Sequence, residues 1–138
     1  MRRHTEERLL TRGDRGAAVA EFVLVVGFLL LPLFLGIVQL GLFLHMRNVV
    51  TSSAAEAARE AANADRGPID GEQRARTLIA DSLSPEIAAD LTVEAAETFD
   101  PAGVRLSAVR VRGPLPLFFL PIGSLSVDVS AHAIEEGQ

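Results

Sequence analysis

The feature that most constrains this chain is an uninterrupted apolar run near its N-terminus. Residues 22–44 carry no formal charge, and most of them are Leu, Ile, Phe or Val. As a helix the run would be roughly 35 Å long, against about 30 Å for the hydrocarbon core of a bilayer. Inserting these side chains contributes on the order of −8 kcal/mol, which the few Gly, Pro and Gln residues do not reverse. The sequence therefore predicts one membrane-spanning helix.

The charges on the two sides of this run predict its orientation. Arginines outnumber acidic residues before the run, whereas the chain after it is acidic. Because arginine beside a span stays in the cytoplasm, we expect the N-terminus inside and everything beyond Arg47 outside. This arrangement is a single-pass protein of the cytoplasmic membrane. An acidic outer domain with few aromatic residues also makes nucleic acid an unexpected partner.

The rest of the composition argues against an enzyme. The chain has no cysteine, which excludes a disulfide framework, a thiolate metal site and a thiol nucleophile. His4, His45 and His132 do not have the spacing of a metal motif. No phosphate-binding glycine loop, nucleophile elbow or H-E-x-x-H motif occurs. We expect a structural protein without a cofactor.

A carboxylate and a glycine mark the start of the apolar run. Glu21 directly precedes the run, and Gly16 lies five residues upstream of Glu21. An acidic residue costs about 2.5–3.5 kcal/mol at the centre of a span and less at its edge, so it invites a functional explanation. Glycine leaves the backbone accessible to a peptidase. After cleavage behind Gly16, the new amine of Ala17 would lie one helical turn from Glu21. Pairing of these two charges would offset part of the free-energy cost of placing either of them in lipid.

Two simpler interpretations of this region stay open. Glu21 can be a juxtamembrane carboxylate with a chance glycine upstream. The run can also be a secretory signal, but such signals have apolar regions of about 7–15 residues, and the nearest A-x-A pattern, at residues 55–57, lies well beyond it.

Pro32 inside the run removes one backbone hydrogen bond and predicts a kink. That kink is either tolerated or a point where the helix loosens as it leaves the bilayer for a filament.

The junction resembles the processing site of type IV prepilins, in which a peptidase cuts after a glycine and Glu is the fifth mature residue. The wider pattern resembles the TadE family of Tad (Flp-type) pilus assembly systems, over residues 15–25, 36–42, 47–51 and 54–62. The resemblance implies a minor pseudopilin that is matured by a prepilin peptidase and acts in pilus assembly or priming. It implies other Tad pilins and pseudopilins and the assembly platform as partners. Because Ala17 is not aromatic, N-terminal methylation stays open.

The second half of the chain predicts a small α+β domain. We expect the first helix to continue to Ala64. A second helix should run from Asp70 to Leu83, with Leu78, Ile79 and Leu83 on its buried side and Pro85 just past its end. Three strands should follow, the first two joined by a turn at residues 100–103. Apolar residues alternate in each predicted strand: Leu91, Val93 and Ala95; Val104, Leu106 and Ala108; Leu125, Val127, Val129, Ala131 and Ala133. The predicted fold is a long N-terminal transmembrane helix with a short second helix packed on a small antiparallel sheet, as in pilins. The predicted domains are a leader (1–16), a helix with its stalk (17–64) and an extracytoplasmic domain (65–138).

Two surface features keep further functions open. Residues 113–123 form a Pro-broken apolar loop that is too short to span, and either folds over the core or docks a partner pilin or the outer leaflet. Arg105, Arg110 and Arg112 either face outward without a role or bind an acidic partner. The alternative to a pilus subunit is a membrane-tethered binding or adhesion module that does not enter a pilus. A secreted effector is a third hypothesis.

Overall fold

A computed structural model describes residues 4–119 and 123–135. The helices are α1 (His4–Ala62), α2 (Pro68–Ser82) and α3 (Pro85–Asp90). The strands are β1 (Thr92–Phe99), β2 (Arg105–Pro116) and β3 (Ser124–Ile134). The chain divides into two compact units, Met1–Val38 and Gln39–Gln138. The predicted α+β class, with one long N-terminal helix and a small antiparallel sheet, is confirmed.

The described side chains of the first unit belong to an exposed apolar helix. Nearly all residues from Gly16 to Val38 are exposed, and Phe28 reaches 85%. A helix that is apolar all round and unburied has the surface expected of a lipid-facing segment. α1 is long and apolar enough to cross a membrane, consistent with a single-pass membrane protein. The helix continues through Pro32 without a break, and the predicted kink stays a prediction.

In the second unit, one face of α1 is buried. The buried positions recur three or four residues apart, which is the spacing of a single helical stripe. They are Gln39, Met46, Val50, Ser53, Ala54, Ala57, Ala58, Ala61 and Ala62. Most of this stripe belongs to the same core as α2 and the sheet. The small-residue face of α1 therefore packs within its own chain.

The contact between α1 and α2 is very close at Gly71. A Cβ atom there would lie 2.9 Å from the Cβ of Ala61 and 3.2 Å from the carbonyl oxygen of Ala57. Only glycine fits such an approach without a shift of the neighbouring helix. Further along α2, Ile79 is fully buried, as predicted. Gly71 and the small side chains of Ala57 and Ala61 therefore determine how closely α2 packs against α1.

The short helix α3 was missed by the sequence reasoning, which took Pro85 as lying just past the end of α2. Pro85 instead occupies the first turn of α3, where the missing N–H has no cost. Ser84 is the N-cap, and its hydroxyl oxygen accepts a hydrogen bond from the N–H of Ile87 at 3.2 Å. In this first turn, a backbone hydrogen bond and, to a smaller extent, the Ser84 hydroxyl lower the pKa of Glu86.

The sheet is antiparallel with the order β1-β2-β3. Val93 pairs with Val111 across the first ladder, and Val109 pairs with Ala131 across the second. The turn between β1 and β2 is closed by Asp100, whose Oδ1 accepts the N–H groups of Ala102 and Val104 at 2.8 Å each. Gly103 in this turn has a φ of 82°, a left-handed conformation that favours glycine. The turn lies where the sequence predicted it.

The sequence assigned the wrong face of β2 to the core. Ser107, Val109 and Val111 point into the core, whereas Leu106 and Ala108 lie half-buried on the other face. β2 continues to Pro116, and Val109, Val111 and Leu115 all lie on its inward face. A shift of one residue would expose all three side chains, so they determine which face of the strand is buried. Ser107 is tolerated inside because its hydroxyl donates to Oε1 of Glu135 at 3.3 Å.

Candidate functional site

The predicted junction lies on an exposed part of α1. Gly16, Ala17 and Glu21 are all exposed helical residues. Ala17 and Glu21 are four residues apart, so they share one helix face with a rise of about 6 Å between them. Among the described residues, a Cβ atom at Gly16 would meet nothing within 4 Å outside its own turn of the helix. Any requirement for glycine here must therefore come from a partner that binds this segment, because the fold itself has room for a side chain.

Glu21 is the one formally charged residue between Gly16 and Leu44. The next side chains, Phe22 and Val23, are exposed and apolar, and the exposed apolar surface continues through Pro32 and beyond. The junction therefore presents an exposed glycine and an exposed carboxylate at the start of a lipid-compatible helix surface. This geometry suits cleavage and pairing with an amine, and both roles stay predictions.

Gln39 makes a long-range contact that the sequence did not predict. It lies inside the apolar run, yet the residue is only 2% exposed. Its Oε1 atom accepts two hydrogen bonds, from the N–H of Phe118 at 2.8 Å and from the N–H of Phe119 at 2.9 Å. Its Nε2 atom has no hydrogen-bond partner among the described residues. The available signal was that Gln39 is the one side chain with a polar group within residues 22–44.

These hydrogen bonds hold residues 117–119, the described tip of the β2–β3 hairpin, against α1. Leu115 is fully buried at the base of the tip, and the N–H of Leu117 donates to the carbonyl oxygen of Gly123 at 3.0 Å. Phe118 and Phe119 are 60% and 47% exposed. The first part of the predicted loop at 113–123 extends β2 into the core, and its two phenylalanines are exposed. Docking of this loop on a partner pilin or on the outer leaflet stays a prediction. Residues 120–122 lie outside the described residues.

The three arginines of β2 do not form one patch. Arg110 and Arg112 lie on the outer face of the sheet, where they pair with Asp128 and Glu94. The hydrogen bond from Arg110 lowers the pKa of Asp128, and the same bond raises the pKa of Arg110. Arg105 lies on the opposite face, with its Nε atom 3.5 Å from a carboxylate oxygen of Glu135. Each arginine has a carboxylate of its own, so the geometry does not favour an acidic partner.

Residues 16–59 match the model of a protein family described as TadE-like protein. The match begins at Gly16 and covers the junction, the apolar run and much of the buried stripe of α1, just under a third of the chain. It confirms the resemblance predicted from the sequence and indicates a protein related to Tad pili. No curated protein and no solved structure gives a significant match. Within the described part of the chain, no group of His, Cys, Asp or Glu residues is arranged to hold a metal ion.

Replacing Gln39 with Leu should release the hairpin tip. The change keeps a side chain of similar size but removes the acceptor for two N–H groups. A buried donor left without a partner costs about 1–3 kcal/mol. We therefore expect the amides of Phe118 and Phe119 to exchange with solvent about tenfold faster, or more, in the detergent-solubilised full chain. Hydrogen exchange followed by mass spectrometry or NMR measures this rate.

Leu40→Ala is the matched control, because Leu40 is an exposed neighbour on α1 whose loss removes no acceptor. The amide of Leu117 serves as an internal reference, since it donates to Gly123 and not to Gln39. Unchanged exchange of Phe118 and Phe119 in Gln39→Leu would show that Gln39 does not hold the tip.

Proposed function

We propose that this chain, TadE-like over residues 16–59, is a minor pseudopilin that acts as a structural subunit in assembly or priming of a Tad (Flp-type) pilus. The observation that carries the proposal is the junction: Gly16, Ala17 and Glu21 are exposed together at the start of an apolar helix, inside the family match. In this proposal a prepilin peptidase removes residues 1–16. The mature chain then begins at Ala17.

The geometry around Gly16 supports cleavage at this peptide bond. The residue is exposed, and a side chain added to it would contact no other element of the described structure within 4 Å, so the described fold does not cover this segment. The arginine excess before the apolar run supports a cytoplasmic leader, with the second unit on the other side of the membrane. The proposed location is the cytoplasmic membrane, from which the subunit joins other Tad pilins, pseudopilins and the assembly platform.

Glu21 has a physical role in this proposal after the leader is removed. The new amine of Ala17 and the carboxylate of Glu21 carry opposite charges on the same helix face. Each charge alone is unfavourable in lipid, and pairing offsets part of that cost. The amine of one subunit can also pair with Glu21 of a neighbouring subunit, which would link helices during assembly. Glu21 is therefore proposed as an assembly residue.

Gly16→Leu should block leader removal, because the larger side chain hinders the peptidase at the scissile bond. We expect the variant to accumulate in the membrane as an uncut precursor. Immunoblotting and intact mass of the membrane fraction separate the precursor from the shorter mature chain.

Gly27→Leu is the matched control, because Gly27 is also an exposed helical glycine at which an added Cβ atom would contact no other element of the described structure within 4 Å. It should be cut normally. Processing of Gly16→Leu at the parental level would remove the central support for a prepilin-like substrate.

Glu21→Gln should separate membrane insertion from assembly. The variant keeps the size and hydrogen-bonding capacity of the side chain but loses its charge, so it should insert at least as well as the parent. It should be cut, yet recover far less of the other Tad pilins on co-purification from membranes, because the ion pair with the Ala17 amine is lost.

Glu97→Gln is the control for the loss of one negative charge, since Glu97 is an exposed residue of β1 in the second unit. This variant should co-purify with its partners as the parent does. Parental recovery of partners by Glu21→Gln would reduce Glu21 to a juxtamembrane carboxylate and favour a simple membrane tether.

A further inference from the structure

We propose that the tip of the β2–β3 hairpin enters the outer leaflet of the bilayer, so that the second unit contacts lipid through Phe118 and Phe119. In this proposal, lipid acyl chains cover the exposed side chains of Phe118 and Phe119. The inference rests on the proposed membrane anchoring by α1 and adds a second lipid contact to it. Four observations within the second unit lead to this conclusion.

The first observation is the depth of Gln39 along the apolar run. The next formally charged residue after Gln39 is Arg47, eight residues later, which corresponds to about 12 Å of helix. The hydrogen bonds from Phe118 and Phe119 fix the hairpin tip at the level of Gln39. If the run spans the bilayer, then the backbone of the tip lies below the level of the headgroups.

The second observation is that the hairpin is uncharged over a matching length. Residues 113–127 carry no formal charge, and the nearest charged residues, Arg112 and Asp128, are partners across the ladder. The strand from Arg112 to Pro116 is about 13 Å long. The hairpin can therefore reach the depth of Gln39 without placing a charged side chain in hydrocarbon.

The third observation is the pairing of the backbone donors at the tip. Pro116 has no N–H, Leu117 donates to Gly123, and Phe118 and Phe119 both donate to Gln39. In water an exposed loop can leave its N–H groups to the solvent, but in hydrocarbon every donor needs a partner within the protein. From residue 116 to residue 119 this condition is met. It also explains why a polar side chain occurs at position 39.

The fourth observation is the exposure of two adjacent phenylalanines. Large apolar side chains side by side on a surface mark a contact with lipid or with another protein. Phenylalanine is one of the residues whose transfer into a bilayer is favourable. Depth and backbone pairing together select lipid over a protein partner, because a protein partner in the aqueous phase would require neither.

Tryptophan fluorescence tests the inference directly, because the chain has no Trp and each variant therefore carries a single reporter. Phe119→Trp in the full chain is reconstituted in phosphatidylcholine vesicles with or without bromine on the acyl chains. We expect blue-shifted emission that loses most of its intensity in the brominated vesicles. Phe118→Trp repeats the measurement, and circular dichroism confirms that each variant is folded.

Two controls separate the possible outcomes. Leu40→Trp reports whether α1 is inserted, since Leu40 is exposed beside Gln39 on the helix. Ser130→Trp, on the outer face of β3, should emit as in water without quenching. Quenching of Leu40→Trp but water-like emission from both tip variants would overturn the inference while leaving the anchor intact.

Two further results would also contradict it. Blue-shifted tip emission that brominated lipid does not quench would mean that the tip docks on protein, such as a second copy of the chain. Absence of quenching in Leu40→Trp would overturn the membrane anchor of the proposed function, and the second lipid contact with it.

Discussion

The burial of one face of α1 from Gln39 onward is the constraint on which the second unit depends. A domain of one three-stranded sheet and two short helices buries only a modest core. The buried stripe of α1 supplies one wall of that core, and its alanines allow the close approach seen at Gly71. The hydrogen bonds of Gln39 then fix the hairpin at the end of this wall.

This dependence has a consequence for the competing functions. A secreted effector cut near Ala55-Glu56-Ala57 would lose Gln39, Met46, Val50, Ser53 and Ala54, all of which are buried in the second unit. Such a fragment would expose the inner side of the sheet and the face of α2. The fold therefore favours a chain that keeps α1. A cut after Gly16 removes none of the buried residues of the second unit.

The sequence predicted the features that local pattern controls. The apolar run is visible as a long uncharged segment, and the turn at Asp100 is visible in its own residues. The strict alternation in β3 comes from a strand with one covered face. The TadE resemblance required only a motif and its flanks, and the family match covers the same region.

The features that the sequence could not predict depend on distant partners. The covered face of β2 was misassigned because Leu106 and Ala108 look like core residues until the longer strand is aligned with its neighbours. Pro85 lies just after α2 and is also the first residue of α3. A proline after a helix predicts only that the helix has ended, so the sequence did not reveal the start of the next one. The role of Gln39 depends on N–H groups 79 and 80 positions away, a distance that no local pattern encodes.

The N-terminal residue of the protein purified from membranes tests the central claim most directly. Mass spectrometry of the N-terminal peptide distinguishes three starting points. We expect a chain that begins at Ala17. A chain that still carries its leader would indicate a simple membrane tether, and one that begins beyond Leu44 would indicate a secreted protein; either result would contradict a pseudopilin.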